Sequence, residues 1–195
     1  MELVICNFLL MFTPFWLVIL GIPALIALFL WFLYNSLVTG RARVDEAWSG
    51  IDVQLKRRSS LIPNLVETVK GYAGHEKELF ENVANARSAL LNAKGAAQSA
   101  AADNQLSGVL KTLFAVAENY PELKANENFK HLQEELSDAE DKIAYSRQFF
   151  NSNVMSYNVK IKQFPAVLVA SSLGFKAYEF FEAAESDRQD IKVAF

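Results

Sequence analysis

The chain has 195 residues, 52% of them apolar, and its 19 Lys and Arg nearly balance 22 Asp and Glu. That length suits one domain plus an appendage, and with a formal charge of −3 and no nucleic-acid motif no nucleic-acid partner is expected. A single cysteine, Cys6, excludes an intrachain disulfide.

The first element is a membrane span. No charged residue lies between Glu2 and Arg41. Thr13 to Tyr34, "TPFWLVILGIPALIALFLWFLY", is long enough at about 1.5 Å per residue to cross about 30 Å of hydrocarbon. A cleaved signal peptide needs a basic start and a small-residue cleavage site, and neither is present. Trp16 at one end, with Trp31 and Tyr34 at the other, stand where amphipathic rings favour the two interfaces. Residues 1–12 either extend this helix or lie in the interface. "LVIC" lacks the basic leader of a lipidation site, so Cys6 reads as an inert thiol. Every Lys and Arg follows the span, beginning with Arg41 and Arg43. The positive-inside tendency therefore places the N-terminus outside and the bulk in the cytoplasm.

Residues 35–195 read as an all-α domain, because Gly and Pro are sparse and no long stretch alternates apolar with polar residues. Leu37, Val44, Ile51, Leu65 and Tyr72 share one seven-residue phase, and Trp48, Leu55, Ile62 and Val69 share another. The pattern starts directly after the span, which predicts a membrane helix continuing into an antiparallel bundle without a flexible linker. Arg58 occupies the first phase where an apolar residue is due. Pro63 is expected to kink this helix or to start a new one capped by Ser59 or Ser60. A kink would rotate the stripe and let Arg58 escape burial.

A helix is expected over His75–Leu91, with Leu79, Val83, Ala86 and Leu90 inward. The Ala-rich "NAKGAAQSAAADNQ" from Asn92 reads as a loop or frayed turn. Another helix, Gln105–Glu118, follows. The clearest repeat lies in Asn126–Phe164, where Phe129, Leu136, Ile143, Phe150, Tyr157 and Phe164 recur every seven residues. Leu132, Ala139 and Ser146 continue, after a one-residue shift, as Val154 and Ile161. A strict heptad predicts a coiled-coil-like seam ending at Pro165. "AVLVASSLGFKAYEFFEAA" is expected to form a last helix with Leu168, Phe175, Tyr178 and Phe181 on its packed face.

Three stretches, "YNSLVTGRARVDEAWSGIDVQLKRRSSLIPNLVETVKGYAGHEKELFENVANAR", "AENYPELKANENFKHLQEELSDAEDKIAYSRQFFNSNVMSYNVKIKQFP" and "GFKAYEFFEA", together resemble the LemA family of bacterial membrane proteins. The resemblance implies one N-terminal helix in the bacterial inner membrane, an antiparallel bundle and no established enzymatic activity. It also implies Asp where this chain has Ser60.

The residues themselves offer no chemistry beyond that. "HEKEL" at His75 lacks the second His four residues on that a metallopeptidase helix needs. There is no G-x-S-x-G turn and no phosphate-binding glycine loop. No catalytic, metal-binding or cofactor-binding residue is expected. Acids Glu134, Glu135, Asp138, Glu140 and Asp141 read as a solvated face. Lys56, Arg57 and Arg58 remain. About 22 residues past Tyr34, a straight helix carries Lys56 roughly 33 Å from the interface, beyond a Debye length of about 8 Å. These three bases, with Glu134, Asp138 and Asp141 of the same chain or a neighbouring subunit, are the candidate contact residues. Phe195 joins them through the tail "IKVAF", which folds back or adds to a neighbour if extended.

The expected function is a membrane-anchored, non-enzymatic scaffold that self-associates and presents a helical surface. The alternative is an accessory of membrane proteostasis or envelope stress working with a membrane metallopeptidase. The expected partners are lipid, other copies of the chain, and that second membrane protein.

Overall fold

Residues Glu2–Lys70 form one helix, α1, so the apolar segment and the first bundle helix are a single rod. The computed structural model describes residues 2–181, with side chains from Ile19 onward. The side chains of Cys6 and Trp16, and the tail with Phe195, lie outside the described residues. Four more helices follow: α2 (Lys77–Asn92), α3 (Gly95–Ala117), α4 (Pro121–Ala125) and α5 (Glu127–Lys162). A 3₁₀ turn at Ala166–Leu168 and an extended stretch close the described chain. Among the described residues there is no strand.

Between Ile19 and Phe32, α1 is apolar and, apart from Gly21, exposed, with Leu20, Leu25, Phe29 and Phe32 open to the surroundings. A helix apolar around its whole circumference has no watery face, which fits it to lipid. Its second half is a core element. Leu37, Val44, Ile51 and Leu65 of one phase are buried, as are Leu55, Ile62 and Val69 of the other, whereas Tyr72 lies beyond the helix end and is exposed.

Helix α5 runs antiparallel to this half. Asn126 caps it by accepting a hydrogen bond from the Phe129 amide, and Phe129, Leu136, Ile143, Phe150 and Tyr157 are all buried. The shift between Ser146 and Val154 keeps the second stripe inward. Phe164 falls past the helix end and is 80% exposed. Helices α2 and α3 pack as a hairpin against the end of the α1/α5 pair farther from the apolar segment.

Three expectations are corrected. Pro63 does not start a new helix, since α1 runs on through it to Lys70. A proline removes the donor for the carbonyl four residues back, here Ser59, and Arg87 Nε of α2 donates to that oxygen at 2.9 Å. A side chain from a neighbouring helix thus replaces the lost bond. The Ala-rich stretch is helical: α3 starts at Gly95 and absorbs both the expected loop and the helix after it. Its small residues bring it close to the core, burying Ser99, Ala100, Ala102 and Asp103.

The last helix does not form either. After the 3₁₀ turn the chain reverses at Gly174, whose φ of +79° suits a residue without Cβ. Residues 175–181 then run extended in the groove between α1 and α5. Phe175, Tyr178 and Phe181 face inward, but Leu168 is 71% exposed.

Candidate functional site

Three consecutive bases on α1 have three different environments. Lys56 is exposed and bonds Asp52 one turn back at 2.6 Å. Arg57 sits at the rim, 2.7 Å from Glu135 and 3.5 Å from Asp138 of α5. The hydrogen bond it donates to Glu135, then the charge of that carboxylate, holds the Arg57 guanidinium above its ordinary pKa. Asp138 also accepts from Lys142 at 2.7 Å. That bond, with the charges of Lys142 and Arg57, lowers its pKa against the opposing effect of burial.

Arg58 does not escape burial. It is 1% exposed, donating to Asp103 of α3 at 2.7 Å and to Glu140 of α5 at 2.6 Å. α1 continues through Pro63, and the heptad position that Arg58 holds points into the bundle. The side chain is accommodated by two carboxylates from two other helices. Asp103 is itself 3% exposed, so this is a buried ion pair with an outer arm at the surface through Glu140.

Of the acids considered from sequence, Asp138 meets Arg57 within this chain, while Glu134 and Asp141 lie exposed on α5. Glu135 and Glu140 were read as a solvated face and instead bond the two arginines. Asp103 is not legible from sequence because it lies in a stretch that reads as a loop. Its signal is an acid among small residues, following Ala96, Ser99, Ala100 and Ala102 on the buried face of α3 just before Leu106.

A second arrangement holds the extended stretch. The Asn158 side chain donates to the Tyr178 carbonyl at 2.9 Å and accepts from the Tyr178 amide at 2.9 Å. One heptad earlier, Asn151 repeats this two-point bond with Phe181, again at 2.9 Å for both. Seven helical residues rise about 10.5 Å and three extended residues span about 10 Å, so the two periods coincide. The aromatic side chains then pack against the helices. Phe175 meets Tyr34 edge-on at 5.8 Å, Tyr178 meets Tyr157 at 5.4 Å, and Phe181 lies 6.4 Å from Trp48 under the Arg147 guanidinium. Tyr178 also donates its hydroxyl to Asp45 at 2.6 Å. Burial, and next that carboxylate, raise the Tyr178 pKa.

His75 and His131 are both exposed, and no cluster of three His, Cys, Asp or Glu positioned for a metal occurs among the described residues. The geometry is therefore one of helix-to-helix fastening. The Arg58 and asparagine contacts bind elements of one bundle, and that bundle is built directly onto a lipid-compatible helix. This defines an all-α bundle protein with an N-terminal helix long and apolar enough to cross a membrane.

The chain belongs to the LemA family, whose model matches residues 47–195. It is similar to the magnetosome protein MamQ of Magnetospirillum gryphiswaldense, with 29% identity over 174 residues, covering 76% of this chain and 64% of that protein. Magnetosome protein MamQ 2 of Paramagnetospirillum magneticum is 28% identical over 84% of this chain and 70% of its own. Protein LemA of Metamycoplasma hominis is 28% identical over 80% of this chain and 72% of its own. The chain thus spans somewhat under two thirds of the first relative's length. None of these names denotes an enzyme.

Proposed function

We propose that this protein is a non-enzymatic scaffold anchored in the bacterial inner membrane by a single pass, with its N-terminus outside and its bundle in the cytoplasm. It associates with further copies and offers its helical surface to other membrane components. The observation that carries the reading is the continuity of α1, which joins an apolar rod to the bundle core with no hinge between them. An enzyme gains little from such rigidity, whereas a scaffold needs its surface held at a fixed height and orientation above the bilayer.

Leftover apolar surface supports self-association. Each double aromatic sends one ring inward and one outward: Phe150 and Phe181 are buried while Phe149 and Phe180 are exposed. Tyr145, Phe149, Met155 and Val159 line the outer side of α5, the kind of surface that promotes association. Confinement to a plane raises the effective concentration of copies.

Crosslinking in native membranes followed by mass spectrometry tests the reading. Crosslinks between copies through α5, with a defined stoichiometry in native mass spectrometry from mild detergent, are expected. A strictly monomeric chain at micromolar concentration would refute self-association. A reporter fused after Phe195 that works only outside the cytoplasm would reverse the orientation.

A further inference from the structure

The stretch after α5 is apolar, exposed and placed at the foot of the bundle. Phe164 is 80% exposed and Leu168 71%, with Val167 and Leu173 about half exposed. Two contacts fix its height. Lys160 donates to the Ser36 carbonyl at 3.2 Å, just before the stretch, and Phe175 packs on Tyr34 just after it. Everything between them therefore sits beside the end of the apolar half of α1, where the expected interface ring of Trp31 and Tyr34 lies.

Its backbone is arranged for a poorly hydrated setting. Of the nine amides from Val167 to Phe175, seven donate to carbonyls between Gln163 and Ser171. A loop facing bulk water has no need of such internal pairing, but one entering the headgroup and acyl boundary does. Charge follows the same logic. The sequence has no Asp or Glu between Asp141 and Glu179, while Lys160, Lys162 and Lys176 flank the stretch. On α1, Arg41 and Arg43 precede Asp45, the first acid after the apolar segment. The end of the bundle nearest the anchor thus carries bases around exposed apolar side chains, a composition that fits anionic phospholipid.

We propose that Phe164–Leu173 is a second membrane contact, which seats its apolar side chains in the bilayer interface beside α1 and its flanking lysines on anionic lipid headgroups. This rests on the anchored reading of α1. Two contacts at different distances from the axis of α1 would stop the bundle from rocking about a single helix.

The test uses the full chain with Cys6→Ser, carrying one environment-sensitive fluorophore at Phe29→Cys, Leu168→Cys or Val53→Cys. Each is reconstituted in phosphatidylcholine vesicles with a quarter phosphatidylglycerol, and spin-labelled lipid is the quencher. Loss of most emission at positions 29 and 168, with position 53 unaffected, is expected. Quenching at 29 but not at 168 overturns the second contact and leaves the anchor standing. No quenching at 29 overturns the anchor, and the second contact with it. Replacing Lys162 and Lys176 by Gln is expected to reduce the quenching at 168 in these vesicles to its level in pure phosphatidylcholine. Equal quenching with and without the lysines, in both lipids, overturns the headgroup contact. Circular dichroism of each variant verifies the helical fold.

Discussion

Arg87 donates its Nε proton to the carbonyl of Ser59, the oxygen that Pro63 leaves without a donor inside α1. The proline and the arginine are therefore coupled although they do not bond each other. Arg87→Ala should cost about 1–3 kcal/mol, the range for stranding a buried polar group. In a Pro63→Ala background the helix supplies its own amide, so the same substitution should cost markedly less. Thermal unfolding of the four proteins in detergent, followed by circular dichroism, gives the coupling directly. Equal costs in both backgrounds would show that Arg87 acts elsewhere.

The pair formed by Arg58 and Asp103 is expected to be costly to break and cheap to replace. Arg58→Met strands a carboxylate that is 3% exposed and should destabilise the bundle by about 3–5 kcal/mol. Adding Asp103→Leu should recover most of that loss, since Glu140 can turn to water. Urea titration of the three proteins distinguishes this outcome from simple additivity.

Asn158→Leu removes both bonds to Tyr178, each worth about 0.5–1.5 kcal/mol. The expected effect is local. Chymotrypsin should cut at Tyr178 or Phe180 much faster than in the parent, with the helical signal unchanged. Unaltered cleavage would mean that the aromatic contacts alone hold the extended stretch.

Alkaline pH should loosen the same stretch. The Tyr178 hydroxyl is held above its ordinary pKa by burial and by the Asp45 carboxylate it bonds. A pKa raised in the folded state means that this contribution is fully present below about pH 10 and is lost as pH rises through the folded value. Protease sensitivity at residues 175–181 should increase in that window. Tyr178→Phe should abolish the pH-dependent part of the increase.

The helices that carry the core were readable because large apolar residues mark a seven-residue period in α5 and in the second half of α1. Two features were not readable, each for a definite reason. Alanine and serine mark no period, so "GAAQSAAADNQ" showed no face. What decides its structure is how closely small side chains let α3 pack against α2 and the core, a tertiary effect. Phe175, Tyr178 and Phe181 are three residues apart, a spacing shared by one side of a helix and one side of an extended three-residue period. The choice falls to Asn151 and Asn158, whose bonds reward an extended backbone and offer nothing to a helical one. The burial of Arg58 is hidden for the first of these reasons, since its partner Asp103 lies within the alanine stretch.

A helix that never breaks also works as a lever. From Tyr34 to Lys70, α1 extends about 54 Å at 1.5 Å per residue. A tilt of about 10° in the bilayer would displace its far end by about 9 Å, on the scale of one helix diameter. Were α1 the sole anchor, a change in bilayer thickness, which spanning helices accommodate by tilting, would be converted into sideways travel of the α2 and α3 hairpin, and the second contact would limit that travel. The bundle would register the thickness of the bilayer beside it as a position relative to the anchor.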